Sequence, residues 1–199
     1  MFHTAIIILA AGASTRLGTP KQLLPWGNRT LLENAIDMAT DSGAAEVIVV
    51  TGANEQIIRS KTNRPDAKYV NNENWVSGMG SSIATGISYV LTNSADIQSV
   101  IIMLCDQPQV DSQYLNKLID LHQLGQKAIT ATDYQNRPGV PAIFDQQYFD
   151  ELIKLQTQGG AKKLMSQKSK DIYLFSPDTE IHDIDTQEDY QRLLNLLEP

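Results

Sequence analysis

The chain has 199 residues, 42% hydrophobic and 20% charged, with 16 basic side chains against 23 acidic ones and a formal net charge of −7. These proportions exclude collagen-like, disordered and disulfide-scaffold classes and predict one globular domain over residues 1–199. An acidic total argues against a nucleic-acid partner, because phosphate backbones are bound by dense Lys and Arg. The longest apolar run, Ala5 to Ala11, is too short to span a bilayer, and no signal-peptide pattern opens the chain, so no membrane partner is expected. A lone cysteine, Cys105, cannot form an internal disulfide, which points to a reducing cytoplasm.

Apolar runs of strand length alternate with segments of helical period. This predicts an α/β fold: three layers, with a mainly parallel twisted sheet and helices on both faces. Thr4 to Leu9 is continuous and β-rich, as expected of a strand covered on both faces. Leu31, Leu32, Ala35, Ile36 and Ala39 recur at helical spacing, with Gly43 placed to end the helix. Strands follow at Glu46 to Val50 and Ala67 to Val70, separated by a short helix from about Asn54. The stretch from Asn72 reads as irregular until Ser82, where a helix to Leu91 should turn Ile83, Ile87, Val90 and Leu91 inward.

Val100 to Leu104 is the next buried strand and ends directly on Cys105 and Asp106. Then come a helix over Tyr114 to Gln123, strands at Ala128 to Thr132 and near Pro141 to Phe144, and a helix from Gln146 to Leu155. Ala161 to Met165 reads as helical, Ile172 to Phe175 as a strand, and Glu188 to Leu197 as the closing helix. No solenoid repeat and no low-complexity tract interrupts this order.

The chain's charge is unevenly spread. Residues 1–100 carry 7 basic and 8 acidic side chains and residues 101–199 carry 9 and 15, and no Asp or Glu precedes Glu33. In that acid-free stretch, strand one runs into Leu9-Ala10-Ala11-Gly12-Ala13-Ser14, with Arg16 and Lys21 close behind. A small-residue segment at the carboxyl end of a buried strand lies where open α/β sheets bind ligands, and backbone N–H groups there can approach an anion. The spacing matches neither a Walker A loop nor G-x-G-x-x-G, so the residues indicate an anion-binding loop, or else an ordinary turn with exposed cations.

The string L-A-A-G-x-S-x-R-x-G-x-x-K followed by L-L-P-x-x-G resembles the signature of the MobA-like nucleotidyltransferases. The pair Ala10-Ala11 and Pro20 before the lysine is most similar to the molybdenum cofactor cytidylyltransferase branch. Asn72 to Ser82, Asp106-Gln107-Pro108, Gly139-Val140-Pro141, Gly159-Gly160-Ala161 and Asp183-Ile184-Asp185-Thr186 extend the resemblance over nearly the whole chain. It implies a glycosyltransferase-A-like fold and an Mg²⁺-dependent transfer of a nucleoside monophosphate, CMP from CTP, onto a phosphorylated acceptor such as molybdopterin, with release of pyrophosphate. A molybdoenzyme or its chaperone would then be a partner. The alternatives are a GTP-using or sugar/polyol-phosphate nucleotidyltransferase, or a non-catalytic molybdenum cofactor carrier.

The resemblance places Arg16 and Lys21 on the triphosphate and Asp106 on Mg²⁺. Leu9, Ala10, Ala11, Gly12, Ala13 and Ser14, with Thr51, Gly52, Asn74, Gly78 and Ser81, are its candidate nucleotide contacts. From the residues themselves, Asp106 could instead cap a turn before Pro108. Asp185 is the favoured second metal ligand over Asp183, in competition with N-capping of the last helix through the spacing Asp185 to Glu188. Cys105 reads as a small buried hydrophobe rather than a nucleophile. The sequence departs from the family at Val140, where His is common, and at Lys162, where Arg is usual.

Overall fold

The computed structural model describes residues 3–62, 64–125, 127–155 and 159–195. Its strands are β1 (Thr4–Leu9), β2 (Pro25–Trp26), β3 (Arg29–Thr30), β4 (Glu46–Thr51), β5 (Lys68–Asn71), β6 (Ser99–Leu104), β7 (Ile129–Asp133), β8 (Pro138–Asp145) and β9 (Ile172–Phe175). Its helices are α1 (Leu31–Thr40), α2 (Glu55–Lys61), α3 (Met79–Asn93), α4 (Ser112–Gln123), α5 (Phe149–Ile153), α6 (Gly160–Gln167) and α7 (Gln187–Leu194).

Seven strands form one sheet in the order β5-β4-β1-β6-β8-β7-β9, and β2 and β3 make a small separate hairpin. β4, β1 and β6 run parallel with Leu9 level with both Val50 and Leu104, so their carboxyl ends share one edge. β8 is antiparallel to both β6 and β7 and brings its amino end, Pro138 to Val140, to that same edge. The site is built there.

Every side chain of β1 is buried, because helices cover both faces of the sheet. On one face Ile7 and Val50 meet Ile83, Ile87 and Val90 of α3, together with Leu152 of α5 and Leu164 of α6. On the other, Ile6 and Ile8 meet Leu32 and Ile36 of α1, Ile58 of α2 and Leu115 and Leu118 of α4. A run apolar on both faces is the mark of a central parallel strand. The three-layer, mainly parallel architecture expected from the sequence is therefore the observed one.

Three local expectations are corrected. Leu91 is 51% exposed, because it follows Val90 by one residue and so sits about 100° round the helix from the buried stripe. α3 starts at Met79 rather than Ser82: Gly78 adopts φ +105°, and the Asn72 side-chain amide donates to the hydroxyls of Ser81 and Ser82 at 2.8 and 2.9 Å. That tertiary tie offsets the weak helix propensity of Gly80, Ser81 and Ser82. The helix expected over Gln146 to Leu155 is a 3₁₀ turn, Gln146–Tyr148, followed by the short α5. The end of the closing helix beyond Asn195 lies outside the described residues.

Candidate active site

After β1 the chain bends out of the sheet. Ala10 N–H still donates to Val50 O at 2.9 Å, and Ala11 O accepts from Ala53 N–H at 3.0 Å. The turn is completed by Ser14 in the left-handed region, φ +55°, a conformation a non-glycine residue holds only with local support. Its hydroxyl supplies that support, accepting from Lys21 N–H at 3.0 Å. Among the described residues, the N–H groups of Gly12, Ala13 and Ser14 have no partner within the chain. The loop thus presents unpaired donors, as an anion-binding concavity requires.

Lys21 opens a short 3₁₀ turn, Lys21–Leu23, and lines the same cavity as the loop. Its ammonium donates to Asp106 Oδ2, to Asp185 Oδ1 at 3.1 Å and to the Ile184 carbonyl at 3.2 Å. Arg16 reaches Asp185 Oδ2 at 2.9 Å. The structure thus brings together Arg16, Lys21, Asp106 and Asp185, residues spread over most of the sequence. Ile184 N–H donates to the Asp106 carbonyl at 3.0 Å and ties the late loop to the end of β6.

Burial pushes the Asp106 carboxyl up, and the Lys21 ammonium against it opposes that shift. Burial would lower the Lys21 amine, but the Asp106 charge and hydrogen bond, with help from Asp185, raise it above the ordinary lysine range, so it is a cation at neutral pH. Asp185 pays some desolvation, yet hydrogen bonds from Lys21 and Arg16 hold it below the ordinary carboxylate value. Burial and the neighbouring Asp106 push the Cys105 thiol up to about 12, so it is no thiolate nucleophile and packs as a core side chain.

Neither capping alternative survives. Asp106 has its side chain on Lys21, and α4 is capped by Asp111, whose carboxylate accepts from Tyr114 N–H at 2.7 Å. The last helix is capped one residue later than its spacing suggested: Thr186 Oγ1 accepts from Asp189 N–H, and Asp189 Oδ2 accepts from Thr186 N–H. Asp185 is left free of that duty and faces the two cations.

Two cavities open at this edge. The first, about 350 Å³, is walled by Leu9 to Ala13, Lys21, Gln22, Trp75, Gly78, Met79, Cys105 and Asp106. The second, about 320 Å³, is walled by Gln107, Tyr134, Arg137, Val140, Gly160, Lys162 and Asp183, and shares Met79 and Leu104 with the first. Gln107 binds this second wall together, donating to Asp183 Oδ1 at 2.8 Å and to Tyr134 Oη at 3.2 Å.

Gly78 is thus on the first cavity, while Asn74 and Ser81 line a separate groove of about 740 Å³ along α3 that carries no charged side chain among the described residues. Ser81 is buried, and its hydroxyl is used on the carbonyls of Gly78 and Asn74. Thr51 is fully buried beneath the surface. Gly52 packs under the loop, where an added Cβ would lie 2.6 Å from Trp75 Cβ and 2.9 Å from Ala11 Cβ. The sequence assigned no role to Gln22, Gln107, Tyr134 or Met79, although Gln107 lies in the Asp106-Gln107-Pro108 motif, Met79 in the Asn72 to Ser82 stretch, and Gln22 directly after the loop lysine.

Among the described residues no helix is long and apolar enough to cross a membrane. The chain is 32% identical to nicotine blue oxidoreductase of Paenarthrobacter nicotinovorans, over 94% of this chain and 95% of that protein. It is 30% identical to the molybdenum cofactor guanylyltransferase of Xanthomonas euvesicatoria, over 57% and 52% of the two chains. Among solved structures, Rv0371c of Mycobacterium tuberculosis superposes with a TM-score of 0.86 at 30% identity, covering 98% of each chain. A complex of Rv0371c with manganese superposes at 0.81 and 27% identity, covering 97% of this chain and 98% of that one. The model of the MobA-like NTP transferase domain matches residues 6–172, and the chain belongs to that family of nucleotidyltransferases.

Proposed function

We propose that this protein is an Mg²⁺-dependent nucleotidyltransferase that moves CMP from CTP onto a phosphorylated acceptor of molybdopterin type and releases pyrophosphate. The observation that carries this reading is the convergence of Lys21 and Arg16 on Asp106 and Asp185 at the mouth of a cavity edged by unpaired backbone N–H groups. Preference for CTP rests on Ala10-Ala11 and Pro20 in the loop.

In the reaction an oxygen of the acceptor's phosphate attacks the α-phosphorus, and the bond to pyrophosphate breaks on the opposite side. The acceptor is already an anion, so no general base is required. The first cavity holds the nucleotide, with the triphosphate against Gly12 to Ser14. Lys21 exchanges its carboxylate partners for phosphate oxygens and stabilises the charge that develops at the α-phosphate. Arg16, two-thirds exposed, neutralises the outer phosphates. The acceptor enters the second cavity, where Arg137 and Lys162 offer cations at the rim and Met79 and Leu104 form the boundary with the nucleotide.

The residues fit a divalent cation. Asp106 Oδ1 is buried with no hydrogen-bond partner, an acceptor left over after Lys21 takes Oδ2. Mg²⁺ is commonly bound through one or two carboxylates plus substrate phosphates and water, and Asp106 with Asp185 or Asp183 supplies such a set. When bound, the metal would neutralise the phosphates and polarise the α-phosphorus. The molybdenum cofactor guanylyltransferase relative supports a pterin-type acceptor and, with it, a molybdoenzyme or its chaperone as recipient.

The test follows pyrophosphate release with Mg²⁺, a panel of NTPs and molybdopterin or sugar-phosphate acceptors. Release with CTP and molybdopterin above a Lys21→Ala control is the expected result. Release only with GTP or a sugar phosphate overturns the CTP or acceptor assignment. Because one relative over nearly the full length is named a nicotine blue oxidoreductase, reduction of nicotine blue by a hydride donor such as a reduced nicotinamide dinucleotide, which is oxidised in the same step, is followed in parallel. Turnover there, with no pyrophosphate formed from any pair, overturns the transferase reading.

A further inference from the structure

Gln22 lies directly beneath the loop, 1% exposed, and no part of the reaction described above uses it. Its amide nitrogen donates to two carbonyls of the loop, Ala10 O at 2.7 Å and Gly12 O at 2.9 Å. Its amide oxygen accepts from the Ser14 hydroxyl at 3.4 Å. A side-chain amide has two N–H donors and one carbonyl, and here each donor has an acceptor and the carbonyl a donor.

We infer that Gln22 is the positioning residue of the phosphate-binding loop, holding its carbonyls inward so that its N–H groups face the ligand. A peptide unit carries its C=O and N–H on opposite sides, so a carbonyl fixed inward turns the adjoining N–H outward. Holding Gly12 O fixes the peptide whose N–H belongs to Ala13, and holding Ala10 O fixes the one whose N–H belongs to Ala11. The Ser14 contact supports the left-handed residue that closes the concavity. Without this tie the carbonyl dipoles are free to turn outward, where they would repel a phosphate. Glutamine suits the task and glutamate does not, since a carboxylate would meet the two carbonyl oxygens with no proton to offer.

The inference rests on the nucleotide reading of the first cavity, so the experiment separates the two. Binding of inorganic tripolyphosphate is measured by calorimetry for the wild type, Gln22→Met and Gln22→Glu, with melting temperature and far-ultraviolet circular dichroism in parallel. The wild type should bind. Gln22→Met, which keeps length and loses the donors, should bind about tenfold or more weakly while still folded, and Gln22→Glu more weakly again. A folded Gln22→Met with lower melting temperature but unchanged affinity shows packing only and overturns the positioning role. No binding by the wild type overturns the nucleotide reading and the positioning role with it. Hydrogen exchange of the wild type needs no variant: the amides of Ala11 to Ser14, those of Ala11 and Ala13 above all, should exchange fast in the free protein and slow with tripolyphosphate. Absence of slowing when calorimetry shows binding also overturns the proposal.

Discussion

Lys21 and Asp106 form a buried ion pair in which each partner makes the other tolerable. With side chains 18% and 6% exposed, both have lost most of their hydration, and mutual contact offsets that cost. Lys21→Met should therefore do more than remove a cation from the wall of the first cavity. It leaves Asp106 buried beside Cys105 and the loop without the Lys21 charge and hydrogen bond that chiefly oppose the desolvation raising its carboxyl. An acid whose folded value lies above its unfolded one holds its proton in the native state, so stability falls as pH rises between the two values. Lys21→Met should be destabilised by about 3–5 kcal/mol at about pH 8 and by less at about pH 5, read from melting temperatures. Lys21→Met combined with Asp106→Asn should lose that pH dependence, and its persistence in the double variant would refute the account. Both residues stand out in the sequence, as a lysine after a small-residue loop and a carboxylate at a strand's end. Their contact was not, because 85 positions separate them and no local pattern encodes the pairing.

Among the elements, α7 shows how a one-residue shift in a cap changes the chemistry available nearby. Asp185 to Glu188 has the spacing of a capping box, and so does Thr186 to Asp189; sequence could not choose between overlapping frames. The structure uses the second, with Thr186 Oγ1 donating to Asp189 Oδ2 at 2.8 Å as well. Two carboxylates four residues apart are thereby given different work. Asp189→Asn should weaken the capping box and lower the melting temperature slightly, and leave pyrophosphate release close to that of the wild type. Asp185→Asn, whose ion pairs are partly exposed, should change stability by less than about 1 kcal/mol and lower Mg²⁺-dependent turnover severalfold or more. Comparable melting losses in both variants, with no difference in turnover, would show that Asp185 serves only the fold.

Across the whole molecule, the site exists because three parallel strands end level and helices can pack close behind them. α3 reaches that distance through Gly86, where an added Cβ would lie 2.7 Å from Ile7 Cγ2 and 3.2 Å from Val50 Cγ2. Helix propensity favours alanine over glycine by about 1 kcal/mol, but overpacking against a sheet whose strands are held on both sides costs more. Gly86→Ala should accordingly lower stability by about 1–2 kcal/mol in denaturant titration. A more stable variant would mean that α3 can shift outward without penalty. The acidic net charge is arranged on the same scale: an acid-free segment carries Arg16 and Lys21, Asp106 and Asp185 pair with them, and Asp183 lies on the neighbouring cavity.

The alternation of doubly covered strands with helices, their order along the chain, and the small-residue turn after β1 were determined by the sequence itself. Each is written in a periodicity or composition a few residues wide. Only the tertiary structure decided that β8 runs backwards between β6 and β7, that α3 begins on Asn72's hydrogen bonds, and that Leu91 faces outward. It also decided that Asp185, 164 residues after Lys21, closes on it while Thr51, Asn74 and Ser81 lie off the first cavity. Local patterns specify which groups must be buried or turned. Which buried groups then meet depends on packing between distant elements, and that is settled only when all of them share one core.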